Sequence, residues 1–370
     1  MVVMVVAHAL NFDELASLSD PATYHRYAII LASRFSEGVF VVHDIYEWHW
    51  YPIALGVWYA ISTPSMVAGK ILSVLLSAIS SFLLYRLMRA LGGTPRASFW
   101  CALIAVNVYP AFLLFGSTLV KEVFLVPLVL AALLACVRIL KQFEPVLFFV
   151  FAALLTLIIT LRFMVGEVLL VAFLISWLFA APFPLRTRLV SGSIFVFLFG
   201  AQILALGFGL LGMGLASDIG RPEYIEEYRI IAYAREKTVS TGSTTNIGIF
   251  EEGVFRATGF LYSLATVTLG PFIWQAKKIT HGVAIIEGIL WIGVLVPIVA
   301  SFFGRFPSRS ALPVILFSGG WLLVVALGSD NIGATMRYRM PAFLALASLA
   351  PLGFVVLQSN YARFIHHHKI

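Results

Sequence analysis

The dipeptide Asp20-Pro21 stands in a polar stretch near the start of this chain and supports two interpretations. Asp is a favoured N-cap residue and Pro is favoured at the first helical position, so the pair predicts a helix that starts here. A carboxylate held rigidly at a helix start beside a membrane is also suited to remove the proton of an acceptor hydroxyl. Asp20 is therefore both a candidate cap and a candidate general base.

The sequence Arg337-Tyr338-Arg339 adjoins the last long apolar run. A guanidinium is planar and can bind two phosphate oxygens at once, so two of them beside a membrane suit a lipid-borne phosphate. We predict that Arg337, Tyr338 and Arg339 contact such a substrate. The alternative is that these charges face the cytoplasm and only anchor a helix.

Further charges lie at the ends of apolar runs or inside them. Lys121-Glu122 opens one run, and Arg162 lies on the same predicted side of the membrane. Charges at this depth are costly and are usually paired or functional, although a snorkelling Lys beside a solvated Glu is the simpler reading. We take these three as candidate substrate contacts, and we expect Glu167 and Glu287 to pair with Arg or Lys inside the bundle.

Aromatic residues cluster around His49 and Tyr51. Aromatic rings stack on sugars and on isoprenoid chains, but they also populate membrane interfaces without any special role. We take His49 and Tyr51 as candidate substrate contacts. A metal site at His43, Asp44 and His49 lacks a clear further protein ligand, so no metal is predicted.

The composition identifies the elements that must position these groups. The 370 residues are 61% hydrophobic and 12% charged, with a mean hydropathy of +0.96. Soluble domains carry about 25% charged residues, so the chain is predicted to be an all-α polytopic membrane protein. The net charge of +7 comes from short clusters between apolar runs, a positive-inside pattern rather than a nucleic-acid surface.

We predict one transmembrane domain over residues 1–370, with about 10–11 transmembrane helices and outer juxtamembrane helices. Residues 1–10 are apolar but short, and we expect them to be the outer end of a truncated first helix. The acidic segment 11–65 is placed outside, because the next run ends in Arg86, Arg89 and Arg96. The predicted runs are 66–87, 97–116, 119–140, 145–161, 164–181, 189–212, 256–275, 283–303, 311–327 and 340–358.

Three outer loops follow from this topology. Segment 11–65 is expected to hold short helices over 20–34 and 51–62, and segment 213–255 a charged helix over 221–237. The run 256–275 is predicted to be re-entrant, because Gly270-Pro271 interrupts it. Segment 328–339 then becomes a late outer loop, although Lys277 and Lys278 favour a full crossing.

Three stretches, taken in order, resemble the C-type (GT-C) membrane glycosyltransferases, which include protein O-mannosyltransferases and the aminoarabinose and Rgt-like lipid-sugar transferases. The stretches are Asp20-x-x-x-Tyr24-x-x-x-Ala28 with Trp50-Tyr51-Pro52 and the run through Gly69, then Lys121-Glu122, then Asn331-Ile-Gly333 through Arg337-Tyr-Arg339-x-Pro341. The likeness is diffuse and covers most of the chain. A large soluble C-terminal domain, present in some members, has no counterpart here.

The resemblance implies an inverting transfer of a sugar from a polyprenyl-phosphate donor to a glycan, lipid or protein acceptor. Asp20 is then the general base, and Tyr24 joins the substrate contacts. Arg337 and Arg339, with Lys121, would neutralise the leaving lipid phosphate, so neither metal nor cofactor is required. The enzyme would lie in the cytoplasmic (inner) cell membrane, with its active face extracytoplasmic.

Two other functions remain open from the sequence. A Wzy-like polysaccharide polymerase or ligase, acting on polyprenyl-diphosphate-linked glycans, would share the outer loops and the paired arginines but need not depend on Asp20. A secondary transporter should show pseudo-symmetric halves with broken helices near the midplane, and the polar groups gather instead at the predicted outer surface. A P-loop motif is absent, which argues against an ATP-driven pump.

Overall fold

The computed structural model describes residues 20–40, 50–208, 249–251, 254–275, 281–303, 309–329 and 331–367, and these fold almost entirely into α-helices. The helices are α1 (Asp20–Ser36), α2 (Trp50–Ile61), α3 (Met66–Leu91), α4 (Pro95–Asn107), α5 (Pro110–Gly116), α6 (Glu122–Lys141), α7 (Pro145–Leu161), α8 (Phe163–Ala180), α9 (Leu185–Phe208), α10 (Ala257–Leu269), α11 (His281–Phe303), α12 (Leu312–Gly328), α13 (Ile332–Ala347) and α14 (Ala350–His367). Short 3₁₀ turns cover Ile273–Gln275 and Arg309–Ala311. The strands β1 (Phe250–Glu251) and β2 (Val254–Phe255) pair antiparallel.

The predicted all-α membrane architecture is confirmed at this level. Within the described ranges, five helices are long and apolar enough to cross a membrane, and the number rises to seven if each of two bent helix pairs counts as one span. The bent pairs are α4 with α5, at 62°, and α13 with α14, at 44°. Where the structure describes them, the ten predicted apolar runs each overlap a helix or a bent pair, but at most seven candidate spans are found there.

Local sequence explains where several helices begin. The Ser65 side chain accepts a hydrogen bond from the backbone N–H of Ala68, and Thr94 caps α4 in the same way immediately before Pro95. Asn331 caps α13 by accepting from the Ala334 N–H. The described part of α1 runs from Asp20, and the helices expected over 20–34 and 51–62 are α1 and α2.

Segment 328–339, which the sequence predicts as a late outer loop, is helical for most of its length, and its side of the membrane stays a prediction. Helix α12 ends at Gly328, and α13 begins at Ile332, so the Arg337-Tyr338-Arg339 sequence is helical. Helix α10 has 13 residues and is therefore about 20 Å long, which is shorter than the hydrocarbon core of a bilayer at about 30 Å. Its length favours the re-entrant interpretation of 256–275.

Other predictions fall on residues outside the described ranges. They concern the truncated helix at 1–10, the charged helix at 221–237, and the polar cluster of His43, Asp44 and His49.

Two packed regions position the polar groups. Helix α6 lies inside the bundle, with 78% of its span buried, and it packs against α3, α7 and α13. Helices α1 and α2 form a hairpin with its own small core, built on Tyr24, Tyr51 and Tyr59. The hairpin is close because Gly56 faces α1: a Cβ atom at this position would lie 2.8 Å from Leu31 Cβ.

Candidate functional site

The first ion pair of the site joins α6 to the junction between α7 and α8. Glu122 is the first residue of α6 and is 1% exposed. Arg162 has an extended backbone between the two helices and donates from Nη1 to Glu122 Oε1 at 2.7 Å. The break in helical backbone at Arg162 thus places its guanidinium against the start of α6.

Helix α13 adds a second guanidinium and an aromatic ring to this pair. The Arg162 Cζ atom lies 3.8 Å from the centroid of the Tyr338 ring, within the range of a cation–π contact. Arg337 Cζ lies 5.8 Å from the same ring and 6.0 Å from that of Phe115. Trp321 holds this turn of α13 in place, because its indole N–H donates to the Tyr338 carbonyl at 2.6 Å.

We call Lys121, Glu122, Arg162, Arg337 and Tyr338 the cationic cluster. The positive charges of Arg337, Arg162 and Lys121 all act on the Glu122 carboxylate. Three cations therefore share one carboxylate, which leaves a net positive charge at this end of the bundle. Arginine and lysine side chains in this arrangement suit an anionic group, phosphate above all.

The Glu122–Arg162 pair is not fully satisfied internally. Glu122 Oε2 is buried and has no hydrogen-bond partner in the part of the chain that the structure describes. The Arg162 side chain keeps 18% of its surface exposed. A buried carboxylate oxygen without a donor is unfavourable, so this oxygen has the capacity to accept a hydrogen bond from a ligand.

The α1–α2 hairpin packs on helix α6 near the end that carries the cationic cluster. The Tyr51 ring lies edge-on to Phe124, two residues after Glu122, with 5.5 Å between the centroids. Tyr24 packs edge-on against Tyr51 at 5.0 Å. Asp20 occupies the helical position one turn before Tyr24, so the first turn of α1 belongs to the same end of the bundle as the cluster.

Tyr24 and Tyr51 do not present open ring faces for a substrate. Each is 2% exposed and belongs to the small core of the hairpin. Burial raises the pKa of the Tyr51 hydroxyl, so this group remains a neutral phenol. The two residues predicted as substrate contacts therefore act on the site through packing, since they hold α1 and α2 against α6.

The hairpin also contains a polar contact that the sequence did not single out. His25 Nδ1 and the Tyr59 hydroxyl lie 2.8 Å apart and are hydrogen-bonded. Desolvation lowers the pKa of His25, which favours the neutral imidazole. The two residues are 34 positions apart in different helices, and no local pattern indicates that they meet.

Arg339 lies inside the protein rather than with Arg337. Its side chain is 0% exposed and donates to Glu287 Oε1 from both Nε, at 2.9 Å, and Nη2. Its Nη1 donates to the carbonyls of Val267, at 3.0 Å, and Gly270, at 2.7 Å. These contacts engage every nitrogen of the guanidinium, so Arg339 is not placed to bind the phosphate that we predicted for it.

Glu287 completes this second ion pair and confirms the expected pairing for that residue. Its Oε2 accepts the backbone N–H of Ala111 at 2.8 Å. Ala111 lies in the first turn of α5, where an N–H has no partner within the helix. The Glu287–Arg339 pair therefore ties α5, α10, α11 and α13 together at the bend between α4 and α5. Glu167, by contrast, is half-buried in α8, and no ion pair joins it to another described residue.

No three His, Cys, Asp or Glu side chains within the described ranges could together hold a metal ion. No protein-family model matches the chain, and comparisons with curated proteins and with solved structures find no significant match.

Proposed function

We propose that this protein is a membrane glycosyltransferase that moves a sugar from a polyprenyl-phosphate donor to an acceptor hydroxyl on the extracytoplasmic side of the cytoplasmic membrane. The observation that supports it best is that the cationic cluster and the first turn of α1, which carries Asp20, belong to the same end of the bundle. A phosphate-binding group and a carboxylate then lie at one end of a bundle with five to seven candidate spans. The diffuse resemblance to GT-C enzymes points to the same chemistry.

In this proposal the reaction is a single displacement. The acceptor oxygen attacks the anomeric carbon of the sugar, and the bond from that carbon to the phosphate oxygen breaks. The acceptor proton passes to the Asp20 carboxylate, and the bonding electrons leave with the lipid phosphate. Arg337, Arg162 and Lys121 neutralise the charge that develops on the phosphate, which does the work that a metal ion does in other transferases.

The open oxygen of Glu122 has a place in the same scheme. The carboxylate keeps Arg162 oriented through Oε1, and Oε2 is buried without a donor among the described residues, so a sugar hydroxyl that enters the site would complete its hydrogen bonding. A sugar binds through hydroxyl groups, so this contact would orient the ring above the phosphate. The acceptor class stays as wide as glycan, lipid or protein, because no described residue distinguishes among these acceptors.

The test is an Asp20→Asn variant, assayed for sugar transfer from a polyprenyl-phosphate donor in membranes. Asn caps a helix about as well as Asp, so folding should survive. Loss of the general base should lower turnover by about a hundredfold or more. The matched controls are Asp13→Asn and Asp44→Asn in the same polar segment, which should change turnover much less. Full activity in a well-folded Asp20→Asn protein would refute this mechanism.

A further inference from the structure

A long groove opens between α3 and the bent pair α4–α5, on the lipid-facing side of the bundle. Its volume is about 740 Å³, within the range of roughly 300–1,000 Å³ found for ligand pockets. Helix α3 contributes one stripe of residues to it, and Phe99, Leu103 and Phe112 line the opposite wall. The stripe is Val74, Ser77, Ala78, Ser81, Phe82 and Tyr85. The groove exists because α4 and α5 meet at 62° instead of continuing along α3.

Three of the polar side chains that line this groove are hydrogen-bonded within the protein. The Ser77 hydroxyl donates to the Ser73 carbonyl at 2.9 Å, and the Asn107 amide donates to the Leu103 carbonyl at 2.8 Å. The Ser117 hydroxyl bonds back to its own helix in the same way. The walls therefore offer a mostly apolar surface, and in a membrane-spanning bundle such a surface faces hydrocarbon. A lipid chain fits that chemistry.

At one end of the stripe, the same face of α3 carries a cationic residue. Lys70 lies one helical turn before Val74 and shares its register. From Val74 to Tyr85 the stripe extends about 17 Å, roughly half of a bilayer core of about 30 Å. The groove is thus suited to bind the hydrocarbon chain of an anionic lipid. A positive charge lies at its membrane-surface end, and its apolar walls extend toward the membrane midplane.

The Lys70 end of the groove adjoins the cationic cluster. The Ser73 hydroxyl donates to the Thr118 carbonyl at 3.0 Å, and a Cβ atom on Gly69 would lie 2.6 Å from Leu119 Cδ2. This turn of α3 therefore packs directly against the residues that precede Lys121. A lipid whose chain fills the groove would have its phosphate beside both Lys70 and the cluster.

We propose that this groove holds the isoprenoid chain of the lipid carrier, and that Lys70 attracts the phosphate at its end. The proposal rests on the proposed function for the identity of the carrier, but not for the existence of the site. The groove selects the part of the chain nearest the phosphate, and the rest of a long chain lies in the bilayer.

The test blocks the groove and leaves the neighbouring lipid-facing surface as a control. Ala78→Phe fills the groove, whereas Ile79→Phe adds the same ring one residue away, at a position that is 48% exposed and does not line it. Binding of a long-chain polyprenyl phosphate to the purified full-length protein is measured by native mass spectrometry. We expect Ala78→Phe to weaken binding by about tenfold through lost apolar contact, and Ile79→Phe to leave it unchanged.

Two further probes separate the phosphate from the chain. Lys70→Gln should weaken binding of polyprenyl phosphate several-fold and leave the uncharged polyprenol unaffected. Farnesyl phosphate should compete, because the groove spans only the first part of a chain, and phosphatidylglycerol should not. Equal effects of Ala78→Phe and Ile79→Phe, or equal competition by phosphatidylglycerol, would overturn the proposal.

The outcomes for the two proposals can be distinguished. Carrier binding that depends on Ala78, in a protein that transfers no sugar, would support the groove and refute the transferase. Sugar transfer by Ala78→Phe with an unchanged KM for the long-chain donor would support the transferase and refute the groove. A photoreactive residue at position 78 that crosslinks to residues 1–19 of the same chain would also overturn the lipid site, since the protein itself would fill it.

Discussion

The two carboxylate–arginine pairs of this protein differ in how completely their hydrogen bonds are used. In the Glu287–Arg339 pair, both side chains are fully buried, and backbone groups satisfy the atoms that the pair leaves over. In the Glu122–Arg162 pair, one carboxylate oxygen has no donor among the described groups and the guanidinium is partly exposed. The first pair is closed and the second is open.

We interpret this difference as one between a structural role and a proposed binding role. A closed pair has no polar atom left to bind a ligand. Its hydrogen bonds stabilise the packing of the helices that it joins. In an open pair, the buried oxygen without a donor is unfavourable in free energy. A ligand that donates a hydrogen bond to this oxygen removes that penalty. We therefore expect mutations of the closed pair to lower stability and mutations around the open pair to lower affinity or turnover.

The largest effect should come from Arg339→Met. It leaves the Glu287 carboxylate buried without its partner, and breaking a buried ion pair in this way costs about 3–5 kcal/mol. Unfolding of the purified protein in detergent, followed by circular dichroism against denaturant, measures the loss. Replacing both partners, as Glu287→Leu with Arg339→Met, should recover part of the stability, because no unpaired charge then remains.

The interpretation of Glu287–Arg339 as a closed pair also predicts how Arg339→Met binds the donor lipid. Protein that still folds should bind the donor lipid as well as the wild type. A stable Arg339→Met protein with reduced affinity for polyprenyl phosphate would instead indicate that Arg339 contacts the substrate.

Variants of Arg337 should affect the open site without unfolding the protein. Arg337→Gln removes a partly exposed cation near Glu122 and Tyr338, and we expect about a tenfold to hundredfold rise in KM for the lipid donor. Arg337→Lys should recover only part of the loss, because Lys keeps the charge but not the planar fork. Arg309→Gln, at an exposed arginine, is the matched control and should leave KM unchanged. If all three variants behave alike, Arg337 does not contact the phosphate.

The contrast between Arg337 and Arg339 shows how far the sequence alone could lead. Composition and charge placement predicted the helices, because hydrophobic length and positive clusters act locally along the chain. We predict one role for the two arginines because their segment is expected to be a loop. In a helix, residues two apart point in nearly opposite directions, so one guanidinium lies with the cluster and the other inside the bundle.

The partners of each arginine could not be predicted in the same way. Arg162 meets Glu122 across 40 positions, and Arg339 meets Glu287 across 52. Which residues meet over such separations depends on which helices become neighbours. The periodicity within one helix does not contain that information. The sequence indicated that a buried carboxylate needs a cation, which Glu287 confirms, but it did not identify the cation.

The smallest predicted effect concerns the His25–Tyr59 contact, which involves two neutral groups and is open to solvent on one side. Because burial lowers the pKa of His25, the folded protein binds a proton less readily than the unfolded chain does. The contribution of His25 to stability is therefore fully present above its ordinary pKa of about 6.5 and is lost as the pH falls below that value. Denaturation midpoints across this range should decline slightly in the wild type and stay flatter in His25→Gln. A midpoint that rises as the wild type is acidified would contradict this prediction, because it would show that the protonated imidazole is stabilised in the hairpin.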